Sequence, residues 1–179
     1  KLKLRSELPN ILRNCNASGL MVTHDPEEAM SICDKVAVMN EGKIHQIDSP
    51  IKLLENPKTL FVSSFILGNN VLNLKKIGNS YSSCLGEINT SELIDNPNIK
   101  FMSIAPKFLS IQKSQDGQAL IVSKEFLGEY FIYKLQINGE TLRVRTSLNN
   151  ILDVGERCII SINKKSFYHI YPSAHKIFI

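Results

Sequence analysis

The sequence predicts an α+β chain: a short α/β piece followed by an all-β, OB-like barrel. Three observations predict it. An apolar run at residues 19–22 is cut off by Thr23, His24 and Asp25 and leads into Pro26 and a helical pattern, the grammar of a buried strand feeding a helix. Helical spacing then recurs up to residue 66. From residue 70 it gives way to short alternating runs punctuated by Gly and Asn, the pattern of a small barrel or sandwich.

Each element follows from local chemistry. Leu2, Leu4, Leu8, Ile11 and Leu12 share a broad face and predict a helix over residues 1–17, with Pro9 expected to break, kink or restart it. Residues 14–19 form a polar loop, with Gly19 the expected terminator. After the run at 19–22, Pro26 suits a first helical position, and Glu27 and Glu28 suit the positive end of the helix dipole. Residues 35–39 read as a strand, 40–43 as a turn, and 44–48 as a further extended run. A short helix over 51–56 is stopped by Pro57, and a second covers 59–66. Gly68-Asn69-Asn70 is a hinge, which divides the chain into 1–68 and 69–179.

In the second half, 71–74 and 81–85 read as weak strands around a Gly78-Asn79 turn. Residues 101–105 and 108–112 are firmer and are split by Pro106; 119–123 is a buried-type strand. The strongest signal lies at 129–146, where Asn138-Gly139 is a two-residue type I′ turn. That turn sets the register: Leu135 should face Leu142, and Tyr133 should face Val144. Val154-Gly155-Glu156-Arg157 is another turn. It leads into strands at 158–162 and near 168–171.

The composition excludes several classes. The 179 residues allow one large domain or two small ones, and 43% hydrophobic content is ordinary for a globular chain. A net charge of +4 is too weak to argue for nucleic acid by itself. No apolar stretch nears the ~20 residues that span a bilayer, and no signal peptide is visible. The Lys at position 1 suggests a fragment. Cys15, Cys33, Cys84 and Cys158 are too far apart for a Cys-x-x-Cys pair, which fits a reducing cytosol.

Taken singly, His24 reads as a capping or loop histidine. His45 reads as a half-buried structural residue, and His169 and His175 as solvent-facing. Glu27 and Glu28 point apart as helix neighbours, which argues against an acid–base pair. Arg143 and Arg145 share a strand face near Lys134. That reads as a solvated sheet face, or more sharply as an anion or nucleic-acid surface.

The whole stretch from Met21 to Met30 changes the weight on His24, because it resembles the switch-histidine segment of ABC transporter ATPases. In that family the histidine reaches the γ-phosphate of ATP and helps orient the attacking water, so the resemblance implies a catalytic role for His24. Residues 38–50 are similar to the family's V-M-x-x-G-x-I-x-Q-x-G-x-P segment, with Asp48 in place of Gly. Residues 56–69 resemble the end of its nucleotide-binding domain. The second half resembles the TOBE domain of importers, through Ile104 to Leu109, Leu127 to Tyr130, Val154 to Arg157 and Ile160 to Ile162. Ala105-Pro106-Lys107 replaces the family's Arg-Pro-Glu. The style of residues 128–135 is most like the iron(III) importers.

The resemblance implies the C-terminal part of an ABC ATPase domain over 1–68 and a TOBE barrel over 69–179. It implies ATP and Mg2+ as cofactors of the full-length subunit, which would couple ATP hydrolysis to solute uptake. As partners it implies a second ATPase subunit in a homodimer, a membrane permease and, indirectly, a solute-binding protein, with no nucleic acid. The location implied is peripheral, at the cytoplasmic face of the plasma membrane.

Some of the family's chemistry is missing from the sequence. The Gly-Lys pair at Gly42-Lys43 is followed by Ile44, and Ala37 stands where a P-loop needs its first Gly. No Gly-Gly pair and no apolar strand ending in Asp-Glu is present. Phosphoryl transfer needs such groups for positioning and charge stabilisation. The chain alone is therefore expected neither to hold ATP tightly nor to hydrolyse it, and no cofactor is expected in it. The alternative is a stand-alone OB-like barrel that binds a small anion, a metal complex or single-stranded nucleic acid.

Overall fold

The computed structural model describes residues 2–78, 80–88, 99–163 and 168–172. These divide into two compact units, one ending at Leu67 and the other starting at Gly68. His175 and Asn79 lie outside the described residues.

The first unit opens with helix α1 (Leu2–Asn14), which runs through Pro9 without a break. Sequence reasoning expected an interruption there. A proline removes one N–H from the ladder, and the hydrogen bonds on either side carry the helix past it. Its terminator is Asn16 rather than Gly19. Asn16 takes a left-handed φ of 53°. The Ala17 N–H bonds the Leu12 carbonyl at 2.9 Å, and the Asn16 N–H bonds that of Arg13 at 3.1 Å. This is a Schellman closure, and Asn is the non-glycine residue best able to make it.

The expected strand at 19–22 does not form. Those residues have no regular structure, and Leu20 and Val22 are 97% and 93% exposed. A strand exists only as one side of a hydrogen-bonded ladder, and among the described residues no strand pairs with this run. Helix α2 (Pro26–Ile32) does form as expected, with Pro26 at its start and Glu27 and Glu28 in its first turn.

Strands β1 (Val36–Asn40) and β2 (Lys43–Asp48) make an antiparallel hairpin with a bulge after Val38. Glu41 and Gly42 both have positive φ at its tip, the twist that a two-residue hairpin needs. Helices α3 (Pro50–Glu55) and α4 (Leu60–Leu67) follow. The core of this unit is small: Val36, Val38, Leu53 and Val62, flanked by Ala29, Met30, Cys33, Phe61 and Ile66.

The second unit is all-β. Strands β3 (Asn70–Asn73), β7 (Phe101–Ile104) and β13 (Tyr168–Tyr171) form one sheet in the order β13-β7-β3. Strands β4 (Lys75–Ile77), β5 (Ser80–Ser83) and β6 (Gly86–Ile88) form a second. The largest sheet contains β8 (Leu109–Lys113), β9 (Ala119–Phe126), β10 (Tyr130–Ile137), β11 (Glu140–Ser147) and β12 (Arg157–Ile162) in the order β11-β10-β9-β12-β8. All three sheets line one continuous core that includes Leu72, Tyr81, Met102, Ile104, Leu109, Tyr133, Leu135, Leu142 and Val144. The architecture is thus α+β, with a barrel-like second unit.

The β10–β11 hairpin keeps the register set by its turn. Leu135 opposes Leu142 and Tyr133 opposes Val144, all four fully buried, while Lys134, Arg143 and Arg145 face outward. Gly117 is wedged against the backbone of Cys158; a Cβ there would lie 2.4 Å from the Cys158 carbonyl carbon.

Candidate functional site

His24 is exposed and immediately precedes Asp25, the N-cap of α2. Its neighbours are anchored. Asp25 is the N-cap of α2, and its Oδ1 accepts the backbone N–H groups of Glu27 at 3.0 Å and Glu28 at 3.2 Å. These are two donors that a helix start leaves without partners of its own. Thr23 Oγ1 accepts the Asp25 N–H at 3.0 Å and donates to Glu28 Oε2 at 2.8 Å. The imidazole therefore stands on a short segment whose two flanking residues are both tied to the first turn of the helix. The sequence placed it on the lip of a strand; the helix is present and the strand is not.

The other histidines have different surroundings. His45 is only 8% exposed, not half-buried. Its Nδ1 lies 3.1 Å from Thr59 Oγ1, and its ring packs on Phe61 at 4.9 Å. Beside it, buried Gln46 donates to Asp48 and to the Asn56 carbonyl and accepts from the Lys58 N–H, which clips the turn between α3 and α4. His45 belongs to this structural network, as the sequence indicated. His169 is half-buried on β13 opposite Ser103, not solvent-facing, and burial pushes its imidazole below the usual range. Its strand pairs with β7 at the edge of the β13-β7-β3 sheet, and that placement was not readable from a position near the chain end.

On the barrel, Lys134 and Arg143 stand directly opposite each other, and the Arg145 guanidinium stacks on Tyr130 at 3.7 Å. Tyr130 shares the outward face of Lys134, and Phe131 and Tyr133 alternate onto the other one. Cys84 is buried. Desolvation, with the Glu140 carboxylate beside it, pushes its thiol up to about 12. Burial raises Cys158 as well. Among the described residues no group of three or more His, Cys, Asp or Glu could hold a metal ion. No helix among them is long and apolar enough to cross a membrane.

The chain is similar to import ATP-binding proteins. It is 28% identical over 185 residues to the sn-glycerol-3-phosphate import ATP-binding protein UgpC 3 of Agrobacterium fabrum, a match that covers 98% of this chain and 52% of that protein. It is 30% identical over 156 residues to the UgpC of Rhizobium meliloti, covering 82% of this chain and 43% of the relative. It is 41% identical over 97 residues to the spermidine/putrescine import ATP-binding protein PotA of Bacillus thuringiensis, covering 54% of this chain and 29% of the relative. The chain thus spans about half, or less, of the length of the curated relatives it matches. No protein-family model matches it.

Proposed function

We propose, from the premise that this chain is homologous to the ATP-binding subunits of ABC importers, that it is the C-terminal part of such a subunit and that His24 is its one contribution to ATP hydrolysis. On this reading residues 1–68 complete the nucleotide-binding domain and residues 69–179 are a TOBE barrel. The observation that carries it is the exposed imidazole of His24 on a segment pinned at both flanks, within the residues whose text resembles the switch-histidine segment.

ATP with Mg2+ would supply the phosphoryl group and the charge that catalysis must stabilise. The fit of this chain to that group is limited to one imidazole, which would hydrogen-bond a phosphate oxygen and hold the water-side proton in place. The sequence has no P-loop, and the described residues hold no carboxylate cluster for a metal. Phosphate grip and metal binding therefore fall to parts of the full-length subunit outside this chain. The bare apolar run at 19–22, with Leu20 and Val22 almost fully exposed, fits a strand whose sheet partners lie in those parts.

Partners follow from the same reading: a second ATPase subunit, a membrane permease at the cytoplasmic face, and indirectly a solute-binding protein. The names of the relatives favour an organic solute such as a phosphorylated polyol or a polyamine over iron(III). The style of residues 128–135 is the sole support for the iron(III) type.

The test is ATPase activity of the full-length subunit with its permease. His24→Ala is expected to lower kcat at least tenfold, and the isolated chain is expected to show no hydrolysis. Wild-type turnover in the His24→Ala subunit, or hydrolysis by the isolated chain that His24→Ala abolishes, overturns the reading.

A further inference from the structure

We propose that Thr23 and Glu28 are positioning residues for His24, acting through a helix-capping network that has been extended by one hydroxyl group. The proposal rests on the assignment of His24 above.

In an ordinary capping box, the residue at the third helical position sends its carboxylate back to the backbone N–H of the N-cap residue. Here the N-cap is Asp25 and the third helical position is Glu28. Half of the box is standard, because Asp25 Oδ1 accepts the Glu28 N–H at 3.2 Å. The other half is relayed. The Asp25 N–H goes to Thr23 Oγ1 at 3.0 Å, and the Thr23 hydroxyl goes on to Glu28 Oε2 at 2.8 Å. A direct bond would satisfy the Asp25 amide without involving residue 23. The inserted hydroxyl gains nothing for the helix that the simpler box lacks. What it adds is a tie on the residue before His24, so that the backbone on both sides of the imidazole is fastened to α2.

A side chain that must meet a phosphate and a water needs its backbone held to a fraction of an ångström, since small misplacements forfeit most of the benefit of proximity. His24 is exposed; residues 19–22 take no regular structure in this chain, and a strand completed there in the full-length subunit would end before Thr23. The relay supplies that hold. The hydroxyl must both accept and donate, which Ser can do and Val cannot. The residue at 28 must accept through its side chain, which Gln can do and Ala cannot.

Two measurements test this. The first uses this chain: 15N relaxation of the His24 amide. Thr23→Val and Glu28→Ala are expected to drop its order parameter from about 0.85 to below about 0.6, whereas Thr23→Ser and Glu28→Gln keep it near wild type. An unchanged order parameter in Thr23→Val overturns the proposal. The second uses the full-length subunit. Thr23→Val and Glu28→Ala should lower kcat about tenfold and leave the KM for ATP within twofold, with Thr23→Ser restoring turnover. If His24→Ala itself keeps wild-type turnover, the assignment of His24 falls, and this proposal with it. If His24→Ala is inactive while Thr23→Val keeps its kcat, the positioning role alone is overturned.

Discussion

The side chain of Asn70 pairs with the backbone of Arg143 as a strand would. Its Nδ2 donates to the Arg143 carbonyl and its Oδ1 accepts the Arg143 N–H, both at 2.7 Å. Arg143 lies on β11, the edge of the largest sheet, and Asn70 opens β3 in another sheet. One buried carboxamide thus closes part of an open sheet edge and joins two sheets around the common core. Asn70→Ala is expected to cost about 2 kcal/mol, since it leaves two backbone groups without partners. Asn70→Asp should cost at least as much near neutral pH, because a carboxylate cannot donate to the carbonyl. Urea unfolding of the three proteins checks both.

Tyr133 makes a similar double contact. Its hydroxyl donates to the Leu152 carbonyl at 3.2 Å and accepts the Leu152 N–H at 3.1 Å, with the ring fully buried. Tyr133→Phe keeps the shape and should still lose about 1–3 kcal/mol, the cost of leaving buried groups unpaired. A midpoint shift in urea without a change in slope is the expected readout.

Gly117→Ala should be among the most damaging small substitutions in the barrel. The new Cβ would meet the Cys158 backbone at 2.4–2.7 Å, where no flexible side chain can give way. The expected loss is about 3 kcal/mol, by overpacking. Thermal unfolding measures it.

Stability should fall on the acid side for two reasons. The Lys113 ammonium and the Asp153 N–H hold the Glu156 carboxyl below the usual carboxylate range. Stability from this group is full above its unfolded-state value and is lost as pH drops through the lower folded value. Burial lowers His169 in the same direction, so the folded state resists its protonation as pH falls below the ordinary imidazole range. Lys113 has the opposite sign: the hydrogen bond to Glu156 raises it, and its contribution fades as pH climbs through the raised value. Denaturation midpoints measured against pH should show a shallower acid slope in Glu156→Gln and, separately, in His169→Phe.

Thiol labelling at pH 8 should divide the cysteines. Cys15 is exposed and should react first, and Cys33 is intermediate. With a thiol near 12, Cys84 holds a thiolate fraction of about one in ten thousand. Cys84 and buried Cys158 should react only after unfolding; fast labelling of either would contradict the packing described.

The parts of this protein legible in the sequence are those governed by neighbours in the chain. The Asn138-Gly139 turn determines the pairing of Leu135 with Leu142 because a two-residue turn leaves the strands one register, and alternation leaves them one buried face. Pro26, Glu27 and Glu28 announced α2 because helix starts have their own local electrostatics. The place of His24 ahead of that helix start was legible for the same reason; its proposed role is read from the resemblance of the surrounding residues. The rest depends on contacts between residues remote in sequence. Leu20 and Val22 are apolar enough for a strand, but a strand needs a partner that no local pattern supplies. Asn70 and Arg143 lie 73 positions apart, and His169 is half-buried only because β13 pairs with the distant β7. The Thr23–Glu28 bond belongs to this second class despite its short span, because a hydroxyl reveals its direction only once the helix beside it has folded.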